Sequence, residues 1–242
     1  MIDLKDWAAS IKIMDDVEEK GRRVLVYGDT GSGKTRFAGT APGVFIIDCD
    51  KGLRTLQGLG VDYITIPYDE PGAINLVRDI VTKFKNKEGV FDGDKYLTLV
   101  IDSYTSLSDI VMNELMKYPL NPSWKKRDPV KDKPEYDHWG AHKAFMVEVS
   151  NMLKDISIDR NVICTATAFV KENEAMRQTQ GLPEIQGSFK SSAGKFFDYV
   201  FYLTVESSVY NLYTKKKGLF IAKTRSTLKD IVADPTWDKV FV

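Results

Sequence analysis

Eight consecutive residues, Gly28-Asp29-Thr30-Gly31-Ser32-Gly33-Lys34-Thr35, combine three glycines, a lysine and hydroxyl side chains at a spacing suited to gripping phosphate. Glycine lets the backbone wrap closely around an anion and turn successive N–H groups toward it at a helix N-terminus. In the pattern G-x-x-x-x-G-K-[ST], the lysine, here Lys34, reaches the β- and γ-phosphates, and the hydroxyl of Thr35 ligates Mg2+. The preceding run RRVLVYG is strand-like, which is the entry such a loop requires. The expected cofactors are ATP and Mg2+, held by Gly28 to Thr35.

Mg2+ needs a further carboxylate, usually at the end of a neighbouring apolar strand, and YLTLVIDS supplies Asp102 in that place. An aspartate that merely caps the following helix is the structural alternative. The run VFIIDCD carries Asp48 and Asp50, whose side chains leave the same face of a strand. Either could meet an attacking water. Asp50, nearer the loop edge, is the better candidate for general base, with solvated turn acids as the alternative.

Positioning these residues calls for strands that end at a common edge. Apolar runs of strand length recur at RRVLVYG, GVFIIDCD, VDYITIPY, YLTLVIDS and NVICTATAF, each closed by Gly, Asp, Pro or a polar cluster. Such runs suit strands buried on both faces. Between them, PGAINLVRDIVTKFKNK and HKAFMVEVSNMLKDIS have helical apolar spacing, with Phe145, Val149, Met152, Leu153 and Ile156 on one stripe. The alternation predicts an α/β fold with a mostly parallel central sheet flanked by helices. After Gly194, the segments FFDYVFYLTVE, SVYNLYTK and GLFIAKTR read as antiparallel strands at the C-terminal edge. Residues 117 to 140 and 171 to 194 are the least regular stretches, and loops of that length tend to be functional or disordered.

A chain of 242 residues, 43% hydrophobic and 28% charged, suffices for one domain with a substantial core. Its 34 basic residues balance 34 acidic ones, so any charge that attracts a nucleic acid must be local. Cys49 and Cys164 sit in apolar runs and read as buried, reduced thiols. No apolar run approaches the ~20 residues that cross a bilayer. The acidic-rich start is unlike a signal peptide, which predicts a cytoplasmic setting and no membrane partner.

In their order, GDTGSGKT, FIIDCD, LVIDSYTSL, DHWGAHKAFMVEVSNMLKDI and GSFKSSAGKFFDYVFYL resemble the RecA-type ATPase core. The resemblance is greatest to the small phage RecA-like single-strand annealing proteins and spans roughly residues 22 to 226. It implies a RecA-like P-loop NTPase with a core over 21–230, an N-terminal segment 1–20 as an oligomerisation arm, and a C-terminal tail 231–242. In that family the catalytic carboxylate is typically Glu, and Asp50 at the matching position is one methylene shorter. The family's polar γ-phosphate sensor, often Gln or His, is matched by Thr167, which as a plain strand residue has its own alternative reading.

The two irregular stretches correspond by position to the DNA-contacting loops of RecA relatives. The first holds Trp124, Lys125, Lys126, Arg127, Lys131 and Lys133, and the second Arg177, Phe189, Lys190 and Lys195. Cations neutralise phosphates and aromatics stack on unpaired bases, a mixture suited to single-stranded DNA. A solvated charge run is the alternative. Lys223 and Arg225 match a basic pair that reaches the neighbouring subunit's ATP in RecA relatives, which implies self-association as a filament or ring. His138 and His142, four apart, have Glu135 and Asp137 nearby but no Cys or third His to complete a metal site, and read as a helix start. The resemblance thus points to a phage-encoded, DNA-dependent ATPase that promotes annealing or recombination, with a single-strand-binding protein as a further partner. A ring-forming helicase-type or loader motor, a non-hydrolysing ATP-gated scaffold and a small-molecule kinase are the other readings. The kinase is disfavoured because the middle loops rely on lysine where a phosphate lid needs several arginines.

Overall fold

A computed structural model describes residues 21–119, 121, 123–173 and 178–241. The segment 1–20 and Arg177 lie outside the described residues. In chain order the elements are β1 (Arg23–Gly28), α1 (Lys34–Gly39), β2 (Val44–Asp48), β3 (Asp62–Thr65), α2 (Ala73–Asn86), β4 (Thr98–Asp102), α3 (Tyr104–Lys117) and α4 (Tyr136–Ile156). They continue with β5 (Asn161–Asn173), β6 (Gln178–Pro183), β7 (Tyr199–Glu206), β8 (Val209–Tyr213), β9 (Ile231–Ala233) and α5 (Trp237–Val240).

One sheet runs in the order β3-β2-β4-β5-β1-β7-β8-β9, with β6 paired to the outer half of β5. The pairs from β3 through to β7 are all parallel, and β8 and β9 close the edge antiparallel. Parallel strands are buried on both faces, and here alternate residues of each strand feed two cores. Leu25, Tyr27, Ile47, Leu99, Ile101 and Cys164 meet α2, α3 and α4 on one face. Val24, Val26, Ile46, Val100 and Ile163 meet α1 and α5 on the other. Both cysteines are buried and unpaired. Among the described residues no helix is long and apolar enough to cross a membrane.

Three details depart from the sequence reading. FFDYVFYLTVE forms β7, an interior strand parallel to β1, so the antiparallel edge begins only at β8. GLFIAKTR makes isolated bridges in place of a strand, because Gly218 turns the chain at positive φ and Phe220 lies flat on Tyr202 with ring centroids 3.9 Å apart. In the stretch 171–194, β5 runs on into a hairpin with β6, followed by 3-10 turns over Gly187–Ser191 and Ala193–Phe196.

Residues 231–241 also belong to the domain and do not form a tail. β9 pairs with β8, and Trp237 packs on Phe37 of α1 while its backbone N–H donates to Thr40 Oγ1 at 2.8 Å. Trp237 is buried with Val232 and Val240 in the core under the phosphate-loop helix. Trp237→Ala should therefore cost about 3–5 kcal/mol of unfolding free energy, the range for emptying a buried aromatic site. Urea titration checks this, since an exposed tail residue would change stability by about 0.5 kcal/mol or less.

Candidate functional site

The buried strand β1 ends at Gly28, and the next residues must reverse into α1 without filling the space between. Gly31 and Gly33 do this with φ of 79° and 91°, in the left-handed region open to glycine. A Cβ on Gly28 would stand 1.9 Å from the Leu203 carbonyl oxygen, so a side chain is excluded there too. The loop borders a cleft of about 480 Å³ whose walls include Lys34, Thr35, Asp50, Asp102, Thr167 and Tyr210.

At its floor the buried Asp102 carboxylate accepts a hydrogen bond from Thr35 Oγ1 at 2.7 Å and another from Thr165 Oγ1. Capping of α3 falls to Ser103, whose Oγ accepts from Ser106 N at 3.1 Å, so Asp102 does not serve as the helix cap. Burial raises the Asp102 carboxyl above the usual range, against the lowering effect of its two threonine bonds. The Lys34 ammonium donates to the carbonyl oxygens of Gly28 and Asp29 at 3.0 and 2.8 Å. Desolvation lowers its pKa, while the charges of Asp102, Asp29 and Asp50 oppose that shift.

Asp48 and Asp50 diverge in their surroundings. Asp48 is buried and occupied by Lys51 N at 2.8 Å and Thr65 Oγ1 at 3.0 Å, a turn-fixing arrangement beside β3. Asp50 faces the cleft, bound among the described residues only to Gly52 N at 2.9 Å, and desolvation followed by the charge of Asp102 raises its carboxyl. Thr167 stands opposite Gly28 in the parallel register of β5 with β1. Its N–H donates to Thr105 Oγ1 at 3.0 Å.

The remaining sequence candidates lie outside this cleft. Lys223 bridges β7 at Val200, with Nζ on the Gly194 carbonyl oxygen at 2.9 Å, and Arg225 pairs with Asp198 at 3.0 Å. Both sit toward the far end of β1, where Arg23 holds the same aspartate, away from their own phosphate loop. Lys125, Lys126, Lys131 and Lys133 are exposed. Arg127 is tied to Glu135, and Lys190 lies 4.5 Å over the Phe169 ring.

Two aromatic assignments change. Phe189 is fully buried between Tyr104 and Phe196, which removes it from any surface that could stack on a base. Trp124 is half-buried, 5.5 Å from the His138 ring. His138 and His142 are buried within the α4 contacts, and among the described residues no cluster of three or more His, Cys, Asp or Glu could hold a metal.

Two residues of the site, one beneath Asp102 and one on the cleft wall, carry no mark in the sequence motifs. Thr165 follows from register, because Ile101 pairs with Cys164 and the next residues, Asp102 and Thr165, must adjoin. Tyr210 comes from β8, remote in sequence, and its ring lies 2.9 Å from where a Gly33 Cβ would stand. No local signal announces it.

A strand, glycine loop and short helix, joined through a threonine hydroxyl to an aspartate two strands away, define a P-loop nucleotide-binding domain. The chain belongs to the AAA domain family, whose model matches residues 20–226. With β5 set between the phosphate-loop strand β1 and the Asp102 strand β4 in a parallel sheet, it has the core of a P-loop ATPase domain of the AAA type. A solved structure it resembles is itself an ATPase domain, at 12% identity and a TM-score of 0.47, covering 89% of this chain and 81% of that one. No curated protein matches.

Family membership implies a nucleotide and usually Mg2+, and the residues present fit both. Lys34 is a cation resting on neutral carbonyls, a position that favours an anionic phosphate. Thr35 and Asp102 present hard oxygens within hydrogen-bond reach of each other, as Mg2+ prefers. Asp102→Asn removes a buried charge. The nucleotide-free variant is expected to melt no lower than wild type, to lose the Mg2+-dependent part of its ADP-induced melting shift, and to lose at least about a hundredfold in hydrolysis. Differential scanning fluorimetry with and without Mg2+ checks the first two points.

Proposed function

We propose that this protein hydrolyses ATP in a cycle coupled to single-stranded DNA, and that it promotes annealing or recombination as a self-associating RecA-like assembly. The observation that carries the coupling is the course of β5. The same strand that brings Thr167 to the phosphate cleft runs on without a break into the hairpin with β6. At the hairpin's base, Thr105 Oγ1 accepts from Thr167 N and donates to the Glu184 carbonyl oxygen at 2.6 Å, while Glu184 N donates to the Thr167 carbonyl oxygen. A shift of Thr167 at the cleft therefore moves the hairpin without an intervening hinge.

In this reading Gly28 to Thr35 hold the triphosphate, with Lys34 supplying positive charge to it. Thr35 and Asp102 hold Mg2+, which supplies charge neutralisation at the phosphate oxygens. Asp50, the cleft acid with a free oxygen and a raised pKa, takes the proton of the attacking water. Thr167 reports the state of the γ-phosphate to the hairpin. Lys223 and Arg225, remote from their own cleft, serve the cleft of a neighbouring copy. Lys125, Lys126, Lys131, Lys133 and Lys190 meet DNA phosphates.

Hydrolysis should rise at least severalfold on adding oligothymidylate at low salt, with Lys34→Ala inactive in both conditions. Equal rates with and without DNA, from a wild type that still binds nucleotide, would remove DNA from the reading. Mixing separately inactive Lys34→Ala and Arg225→Ala proteins should restore part of the activity, because some mixed interfaces pair an intact phosphate loop with an intact Arg225. If the mixture stays as inactive as its components, Arg225 does not act across an interface.

A further inference from the structure

With Phe189 buried and Trp124 turned into the core, base stacking needs other rings, and the surface supplies them at the start of α4. Tyr136 is 90% exposed and Trp139 37% exposed. With Lys143 they lie three and seven residues along the helix, on one face. The adjoining face carries His138, His142, Phe145, Met146 and Val149 into the core. This placement leaves a phenol and an indole edge together at the surface, which a folded chain ordinarily covers or uses.

The charge around these rings is one-sided. From 125 to 143 the chain has six basic and four acidic side chains. Glu135 pairs with Arg127 and Asp128 with Lys131, which leaves Lys125, Lys126, Lys133 and Lys143 against Asp132 and the exposed Asp137. Lys125, Lys133 and Lys143 are exposed and have no carboxylate within ion-pair reach among the described residues. In a chain of zero net charge, aromatic rings thus stand among unpaired ammonium groups. That is the surface that binds single strands without regard to sequence, since every base offers a π-face and every nucleotide a phosphate.

We propose that Tyr136 and Trp139 form a stacking platform for unpaired bases, with Lys133 and Lys143 on the adjoining phosphates. The inference rests on the single-stranded DNA reading and assigns it to a helix face where the sequence pointed to loops. Trp139 also abuts Gly187, where an added Cβ would come within 3.0 Å of the indole. The platform therefore touches the segment that leaves β6, and strand binding there bears directly on the hairpin tied to Thr167.

The test is oligothymidylate binding by fluorescence anisotropy at low salt, using the full chain. Tyr136→Ala removes a solvent-exposed ring and leaves the fold intact, and it should weaken binding about tenfold, one stacked base's worth. Nucleotide binding, read separately by melting shift, should not change. The indole emission should be quenched by the oligonucleotide in wild type and in Trp124→Phe, and the quench should vanish in Trp139→Phe. If wild type binds and the Tyr136 and Trp139 variants bind and quench equally well, the platform is wrong while the DNA reading stands. If wild type does not bind, both fall. If Tyr136→Ala instead lowers the sedimenting mass with DNA affinity unchanged, the face is a contact between copies, and the proposal is overturned.

Discussion

The hydrogen bond from Thr35 to Asp102 is the constraint on which the rest of this domain is arranged. Its partners begin α1 and end β4, and the sheet order places β5 between β4 and the β1 strand that feeds α1. The two side chains can meet only if three parallel strands finish level and the middle strand offers a small polar residue at the meeting point. Thr165 is that residue, and its hydroxyl donates to the other carboxylate oxygen. A separate backbone bond holds Asp102 from the far side, where Cys49 N donates to its carbonyl oxygen at 2.6 Å and so brings in the end of β2 with Asp50 beyond it. A buried carboxylate with misplaced partners would be costly, so the site itself enforces the strand register.

Much of this was legible in the sequence because its causes are local. The glycine spacing of the phosphate loop, the double-sided burial of strands such as RRVLVYG, and the helical stripe of α4 are properties of short windows, and the structure has the elements they predict. Asp102 was recognisable as a strand-end acid, but its distinction from a helix cap needed the neighbouring Ser103 to be seen doing the capping. Asp48 and Asp50 could not be separated by period-two reasoning, since both leave one face. They differ because Thr65, from a strand later in the chain, and Lys51 N occupy both oxygens of the first, whereas the second holds Gly52 N on one oxygen and faces the cleft.

What sequence windows misjudged were properties of packing between distant segments. Phe189 and Trp124 sit in polar, irregular stretches whose composition suggested exposure. Yet Phe189 fills a gap between Tyr104 and Phe196, and burying such a ring contributes about 1.5–3 kcal/mol. Residues 231–241 looked like a tail because the family pattern ends before them, whereas Trp237 and Val240 complete the core beneath α1. In both cases the deciding partner lies tens of residues away. Tyr210 over Gly33 is a further instance of the same kind.

The polar contacts of α3 explain how a cleft and a remote surface can belong to one device. Starting one residue beyond Ser103, its first turns present Thr105 to Thr167 and Glu184, Ser108 to Gln186 N at 3.0 Å, and Asp109 to Gln186 Nε2 at 2.6 Å. The Ser108 hydroxyl also shares a hydrogen bond of 2.9 Å with His142 Nε2, and the His142 ring meets Trp139 edge-on. Burial holds the His142 pKa down to about 4, so the imidazole is neutral near pH 7 and acts there as a fixed spacer. A helix whose cap adjoins Asp102 thus grips both the base of the β5–β6 hairpin and the start of α4. Hydrogen bonds of this kind tolerate little sliding, because breaking one leaves a buried polar group unsatisfied. The first turns of α3 therefore tie the Asp102 end of the cleft both to the base of the hairpin and to the start of α4, where Tyr136, Trp139 and Lys143 lie.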